Sequence, residues 1–252
     1  MRETLILLPG WGLDGALLQP LAKALGGNMQ VQVQVQVQVQ VQVQVPALPR
    51  LSSAAAADWL DELDTRLPHD GWLAGWSLGG MLAAALAARR GERCRGLITL
   101  ASNACFVASA AWPTAMPAQT YAAFYEDCQE NAGTTLKRFA MLCAQGCADT
   151  RGLSRQLQNH LASSDEPSLL AGLRLLASLD NRAALAAFTG PQLHLLAEQD
   201  ALVPAAAGDA MLALLPTGEV DVLEDCGHAF VLDQADALAA LMLDFICEAN
   251  DV

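Results

Sequence analysis

No uninterrupted apolar run in this chain approaches the ~20 residues that a membrane-spanning helix requires, although apolar residues make up 53% of the sequence. The opening Met-Arg-Glu-Thr-Leu-Ile-Leu-Leu-Pro lacks the basic-then-apolar pattern of a secretory leader and is read as entering a first strand at once. Cations are scarce. Fourteen Lys and Arg stand against 27 Asp and Glu, a net charge of −13, which argues against nucleic acid and anionic membrane as partners. The seven cysteines include no C-x-x-C pair. An odd, unpaired set suits a reduced cytoplasmic protein better than a disulfide framework. Cys143 and Cys147 lie one helical turn apart, but no His or acid joins them at ligand spacing, so no metal is expected.

The few cations are unevenly placed. Between Gly133 and Ser164 lie Lys137, Arg138, Arg151 and Arg155 against the single acid Asp149. The cluster is either a solvated helical face or a docking patch for an acidic partner.

Short apolar runs ending in glycine or acidic turns alternate with longer helical patterns, which predicts an α/β domain with a mostly parallel sheet. Strands are expected at Thr4–Leu8, within the run Gln30–Val45, and at Trp72–Trp76, Gly96–Leu100, Gln192–Ala197 and Glu219–Leu223. Helices are expected at Leu17–Leu25, Ala54–Leu67, Leu78–Arg90, Ala206–Leu215 and Gln234–Ala249. Between residues 104 and 187 only helical patterns remain, which reads as a helical cap inserted into a core formed by residues 1–103 and 188–252, with Trp112-Pro113 and Met116-Pro117 in its entry loop.

"GWLAGWSLGGMLAAALAARR" places Gly75-Trp76-Ser77-Leu78-Gly79 between a strand and a helix. A G-x-S-x-G pentapeptide in that context is a nucleophile elbow, with the serine on a sharp turn and the glycines allowing strand and helix to approach. The Leu78 N–H then points to where an oxyanion would form, at the N-terminus of the helix. A serine nucleophile needs a base, and the base an orienting acid. Of the four histidines, His69 reads as a surface turn, His160 belongs to the cap and His194 lies inside a strand. Only His228, in "EDCGHAF", sits in a loop after a strand. Acid candidates are Glu198, Asp200, Glu224 and Asp225. Asp200 is preferred because it follows a strand at the end where catalytic loops gather. A second oxyanion donor is expected from the Trp11 N–H in "LLPGWGLDG".

The order Ser77, Asp200, His228, with "GWG", "GWSLGG", "QDALVP" and "GHAF", resembles the α/β-hydrolase superfamily. Within it, "LLPGWGLDG", "LAGWSLGGMLA", "LITLASNACFVASAAWP", "LKRFAMLCAQG" and "EDCGHAF" are similar to the carboxylesterases of biotin synthesis that cleave pimeloyl-acyl-carrier-protein methyl ester. The resemblance runs from Leu5 to the last helix. It implies an α/β-hydrolase fold whose cap precedes the acid-bearing strand, and a serine esterase of the cytoplasm that needs no cofactor or metal and works as a monomer. It implies substrate contacts from Trp11, Ser77, Leu78, His228 and the cap residues Phe139, Ala140, Met141, Leu142 and Cys143. It also implies that Arg138, Arg151 and Arg155 receive the acidic carrier protein. A generic short-acyl esterase or lactonase on the same fold is the alternative, and a decayed, non-catalytic hydrolase a more distant one.

The chain departs from that family in three places. Pro9 stands where a histidine usually precedes the oxyanion loop, and the family's N-terminal strands are largely missing. The Gln/Val run, residues 30–45, is about twice the strand length expected there. Without N-terminal strands this run would lie at a sheet edge, where a tandem expansion of Val-Gln pairs keeps the register of inward-facing residues.

Overall fold

The computed structural model describes residues 2–26, 40–163, 165–215 and 217–250. Most of the Gln/Val repeat, residues 30–39, lies outside them. Six strands form one sheet in the order β2-β1-β3-β4-β5-β6: β1 (Arg2–Leu8), β2 (Gln40–Gln44), β3 (Gly71–Trp76), β4 (Cys94–Leu100), β5 (Gln192–Ala197) and β6 (Glu219–Leu223). Every neighbouring pair is parallel. β3 and β5 are buried at every position, as expected of strands covered on both faces, and their sequences are accordingly near-continuous apolar runs. β2 alternates instead: Gln40 and Gln42 are exposed and Val41 is buried. Among the described residues β2 forms one edge of the sheet and β6 the other.

The helices are α1 (Gln19–Gly26), α2 (Ala56–Arg66), α3 (Leu78–Arg90), α4 (Ala118–Glu130), α5 (Ala132–Ala144), α6 (Thr150–Asn159), α7 (Glu166–Ser178), α8 (Arg182–Ala187), α9 (Ala207–Leu214), α10 (Phe230–Asp233) and α11 (Ala235–Asn250). Alternation along β3 assigns the two main helices to opposite faces. Gly75 abuts Gly79 of α3, whereas Trp72 meets Phe245 of α11 edge-on, with ring centroids 5.7 Å apart. Residues an odd number apart on a strand point to opposite faces. The α3 sequence, rich in Ala and Gly, is nearly all buried because it lies so close to the sheet. No helix among the described residues is long and apolar enough to cross a membrane.

The described strands and helices fall close to the expected ones, with two instructive differences beyond the entry loop. That loop, residues 104–117, carries isolated bridges that pair Val107 with Met116 and Ser109 with Trp112. Pro113 and Pro117 withhold backbone N–H groups there, and Pro117 ends as the N-cap of α4. The expected first helix begins as a 3-10 turn at Gly15–Leu18, capped by Asp14 accepting from the Ala16 N–H. The last helix is preceded by the short α10, which leads directly from the histidine loop. Within residues 104–187 α4 packs on α5 and α7, and α5 on α6, while α8 packs against α3.

Candidate active site

Ser77 follows β3 as the N-cap of α3, with φ 56° and ψ −123°, a conformation disfavoured for a side-chain-bearing residue, at a cost of about 1–3 kcal/mol. Four hydrogen bonds hold it. The Ser77 N–H donates to Leu100 O at 2.9 Å, and the Ser77 carbonyl accepts from Gly80 N at 3.0 Å and Met81 N at 3.1 Å. The Ser102 hydroxyl donates to the same carbonyl at 2.7 Å. Gly75 and Gly79 leave no alternative: a Cβ on Gly75 would collide with the Gly79 backbone, and one on Gly79 with the carbonyls of Leu8 and Pro9.

Asp200 and His228 lie in the loops after β5 and β6, and both side chains are fully buried. His228 Nδ1 meets Asp200 Oδ2 at 2.7 Å. Asp200 Oδ1 accepts from Leu202 N at 2.7 Å and Val203 N at 2.9 Å. A carboxylate accepts and does not donate, so the hydrogen between it and the imidazole sits on Nδ1. That tautomer leaves Nε2 with a free lone pair, and Nε2 is indeed buried without a hydrogen-bond partner. Ser77 Oγ makes no hydrogen bond with it in this structure. The neighbouring Trp76 fixes the approach, because its indole N–H donates to the His228 carbonyl at 2.9 Å.

The other acids are otherwise engaged. Glu198 accepts from the Asp225 N–H, Asp225 pairs with Gln199, and Glu224 is exposed. The remaining histidines stand apart. His69 sits at the surface beside Asp64 and Arg93, and the His160 carbonyl accepts from the Asp14 N–H. His194 is buried with Nδ1 2.7 Å from the Thr99 hydroxyl, and burial lowers its pKa to about 3.

Leu78 opens α3, so its N–H has no acceptor within the helix. The Trp11 N–H donates to no described residue. The Gly10 α-carbon lies against Trp76 and Ser77, which brings the two loops together. The Trp11 indole N–H donates to Leu169 O of α7 at 2.9 Å, and its ring meets Phe139 edge-on at 5.1 Å. Phe139, Ala140 and Cys143 are buried, and the Cys143 carbonyl accepts from Ala229 N, next to His228. Leu142 is half-buried, but Met141 is 52% exposed. Five consecutive residues on a helix cannot share one face, so Met141 is set apart from the other four.

On α6, Leu153 and Leu157 turn inward while Arg151 and Arg155 are exposed one turn apart. Neither arginine is in an ion pair among the described residues. Arg138 differs: its guanidinium pairs with Asp127 at 2.8 Å. No group of His, Cys, Asp or Glu placed to hold a metal occurs among the described residues.

Two contributions escape a reading by motif. Ser102 buttresses the elbow, and Asn103 accepts from the Trp112 indole at 2.9 Å while donating to Thr114 O at 2.8 Å. The stretch "ASNACF…WP" was distinctive as a pattern, and this polar clasp is its physical content.

Residues 42–235 match the alpha/beta hydrolase fold family. Over 97% of its length the chain is 34% identical to the pimeloyl-[acyl-carrier protein] methyl ester esterase of Aromatoleum aromaticum, spanning 98% of that protein. It is 38% identical, again over 97% of its length, to the biotin biosynthesis bifunctional protein BioHC of Cellvibrio japonicus, of which it spans 47%. Among solved structures, the bromoperoxidase from Bacillus anthracis superposes with a TM-score of 0.80 at 17% identity, covering 98% of this chain and 92% of that one. An esterase from Exiguobacterium antarcticum gives 0.78 at 17% identity, covering 97% and 91%. At such identities the likeness speaks for the fold.

Proposed function

The chain belongs to the α/β-hydrolase family and, within it, to the pimeloyl-[acyl-carrier protein] methyl ester esterases, and on that premise we propose that it hydrolyses the methyl ester of a pimeloyl group carried on an acyl-carrier protein, releasing methanol. Ser77 is the nucleophile, His228 the general base and Asp200 the group that orients it. His228 Nε2 takes the Ser77 proton as Oγ attacks the ester carbonyl, and the N–H groups of Trp11 and Leu78 receive the oxyanion. The imidazolium, stabilised by Asp200, then protonates the departing methoxide. Water, activated by the same nitrogen, releases the acyl group as a carboxylic acid.

The observation that carries this reading is the fully buried Asp200–His228 bond with an unpartnered Nε2 on its far side. His194 Nε2 is likewise buried without a partner, so what singles out His228 is the pairing of a free Nε2 with the Asp200 carboxylate on Nδ1. The exposed Arg151 and Arg155 supply local positive charge on an acidic protein, which suits an acidic carrier. Arg138 contributes less than its sequence position implied, since Asp127 partly neutralises it.

A serine-directed phosphonate should label Ser77, and Ser77→Ala should abolish methanol release from the carrier-linked ester while the chain stays folded. Retained turnover in that variant would end the assignment. Cleavage of a small aryl ester but not of the carrier-linked one would keep the mechanism and replace the substrate.

A further inference from the structure

A cleft of about 150 Å³ runs between three segments: the oxyanion loop, the loop after β2 and the turn joining α6 to α7. Trp11 and Leu78 line it, so the candidate oxyanion donors belong to residues of its wall. Apolar walls come from Leu48, Trp59 and Leu169. Arg50 is the single cation among the lining residues and is exposed. Its guanidinium donates to no described residue and is in no ion pair among them.

The acids nearby do not occupy it. Asp14, the one acid on the wall, has Oδ1 held by the Ala16 N–H at 2.9 Å. Asp165 caps α7 and accepts from the Ser168 N–H at 3.1 Å. Ser168 is the chief cause of its lowered pKa, with the charge of Arg50 a smaller one. Arg50 thus offers an unused planar set of N–H donors, a geometry suited to a carboxylate, at the wall of a cleft that Leu48, Trp59 and Leu169 share with Asp14, Ser163 and Ser168.

We propose that Arg50 makes this cleft a receptor for a short acyl chain ending in a carboxylate, so that the protein also hydrolyses carrier-free monoalkyl esters of short dicarboxylic acids. The cleft holds about five water-sized volumes, the scale of a short methylene chain rather than of a carrier's long arm. The ester carbonyl lies at the Trp11 and Leu78 N–H groups, the methylenes against Trp59 and Leu169, and the far carboxylate at Arg50. The reaction is the one already described: water adds to the acyl carbon, the C–O bond to the alcohol breaks, and the alcohol leaves with a proton.

This inference rests on the Ser77–His228–Asp200 reading, and its test separates the two. The probes are monomethyl adipate and dimethyl adipate, matched in length but not in charge, with kcat/KM measured for the unaltered chain, Arg50→Gln and Arg50→Lys. Arg50→Gln should lower kcat/KM for the monomethyl ester about five- to tenfold and leave the dimethyl ester within about twofold; Arg50→Lys should fall between. An unchanged preference between the two esters in Arg50→Gln would overturn the proposal. So would failure of the unaltered chain to cleave the monomethyl ester. Phosphonate labelling of Ser77 in that same preparation then tells whether the triad reading falls with it.

Discussion

The Trp11 indole lies against the bare α-carbon of Gly172 in α7. A methyl group there would stand 2.8 Å from Trp11 Cδ1 and 3.1 Å from Nε1. Helix α7 therefore seats the side chain of the residue whose backbone N–H is the candidate oxyanion donor.

Gly172→Ala should consequently behave against its helix propensity. In an unhindered helix interior the change gains about 1 kcal/mol; here overpacking costs about 1–3 kcal/mol. The expected outcome is a lower melting temperature and a fall in kcat of about tenfold with KM little changed. Removing the ring edge in Trp11→Phe should make a second change at Gly172 nearly silent, and fully additive effects would show that the two residues do not act together.

Asp200→Asn tests the tautomer. The amide can present its NH₂ to His228 Nδ1, which puts the imidazole proton on Nε2 and removes the lone pair that Ser77 requires. A loss in kcat of about 10³–10⁴ is expected, with the protein still folded by circular dichroism. A loss below tenfold would mean that another acid orients His228.

The candidate catalytic residues were legible because chemistry constrains them locally: a G-x-S-x-G elbow between strand and helix, one histidine in a loop after a strand, and a small set of acids beside the last two strands. Its place after a strand already favoured Asp200 over Glu198, Glu224 and Asp225, and the coordinates add the contact itself, His228 Nδ1 at 2.7 Å from Asp200 Oδ2. Ser102 was not legible, because a serine that donates to a backbone carbonyl 25 residues away leaves no periodic or motif signal. The separation of Met141 from Phe139 and the Arg138–Asp127 pair were hidden for a similar reason: they depend on helix phase and on a neighbouring helix.

His194 should give the protein an acid-sensitive stability. Its pKa is held down to about 3 by burial, against about 6.5 in an unfolded chain. Between those values the unfolded state binds a proton that the folded state refuses, so stability is complete above pH ~6.5 and declines as pH falls towards ~3, by about 1.4 kcal/mol per pH unit. Urea midpoints across that range should show the slope, and His194→Gln should flatten it even if it is less stable at neutral pH. An identical slope in the variant would locate the acid sensitivity elsewhere.

Charge reversal on α6 should separate docking from chemistry. Arg151→Glu with Arg155→Glu should lower kcat/KM for the carrier-linked ester about tenfold or more, with the effect shrinking at high salt. Hydrolysis of a small aryl ester should be unchanged, because both side chains are exposed on the outer side of α6 and pair with no described residue. Arg138→Glu should do less, since Asp127 already offsets that charge. Equal losses on both substrates would point to a damaged cap rather than a docking surface.

The Gln/Val repeat should be dispensable for catalysis and costly in solution. Only its last residues belong to the described fold. There β2 runs parallel to β1 in the register Arg2 to Gln40 through Ile6 to Gln44, with Val41 buried and its outer edge unpaired among the described residues. An alternating Gln/Val edge can pair with another copy in many registers, because every two-residue shift restores the same facing side chains. Such segments favour cross-β assembly. Deleting four Val-Gln pairs upstream of Gln40 keeps the alternation and leaves β2 itself intact. The shortened chain should retain full esterase activity and stay monodisperse at concentrations where the unaltered chain scatters light. Gln42→Lys, which places a charge on the exposed side of the edge strand, should act in the same direction. Lost activity in the deletion variant would show that the repeat supports the candidate oxyanion loop, whose end at Gly15 lies against Val45, the residue after β2.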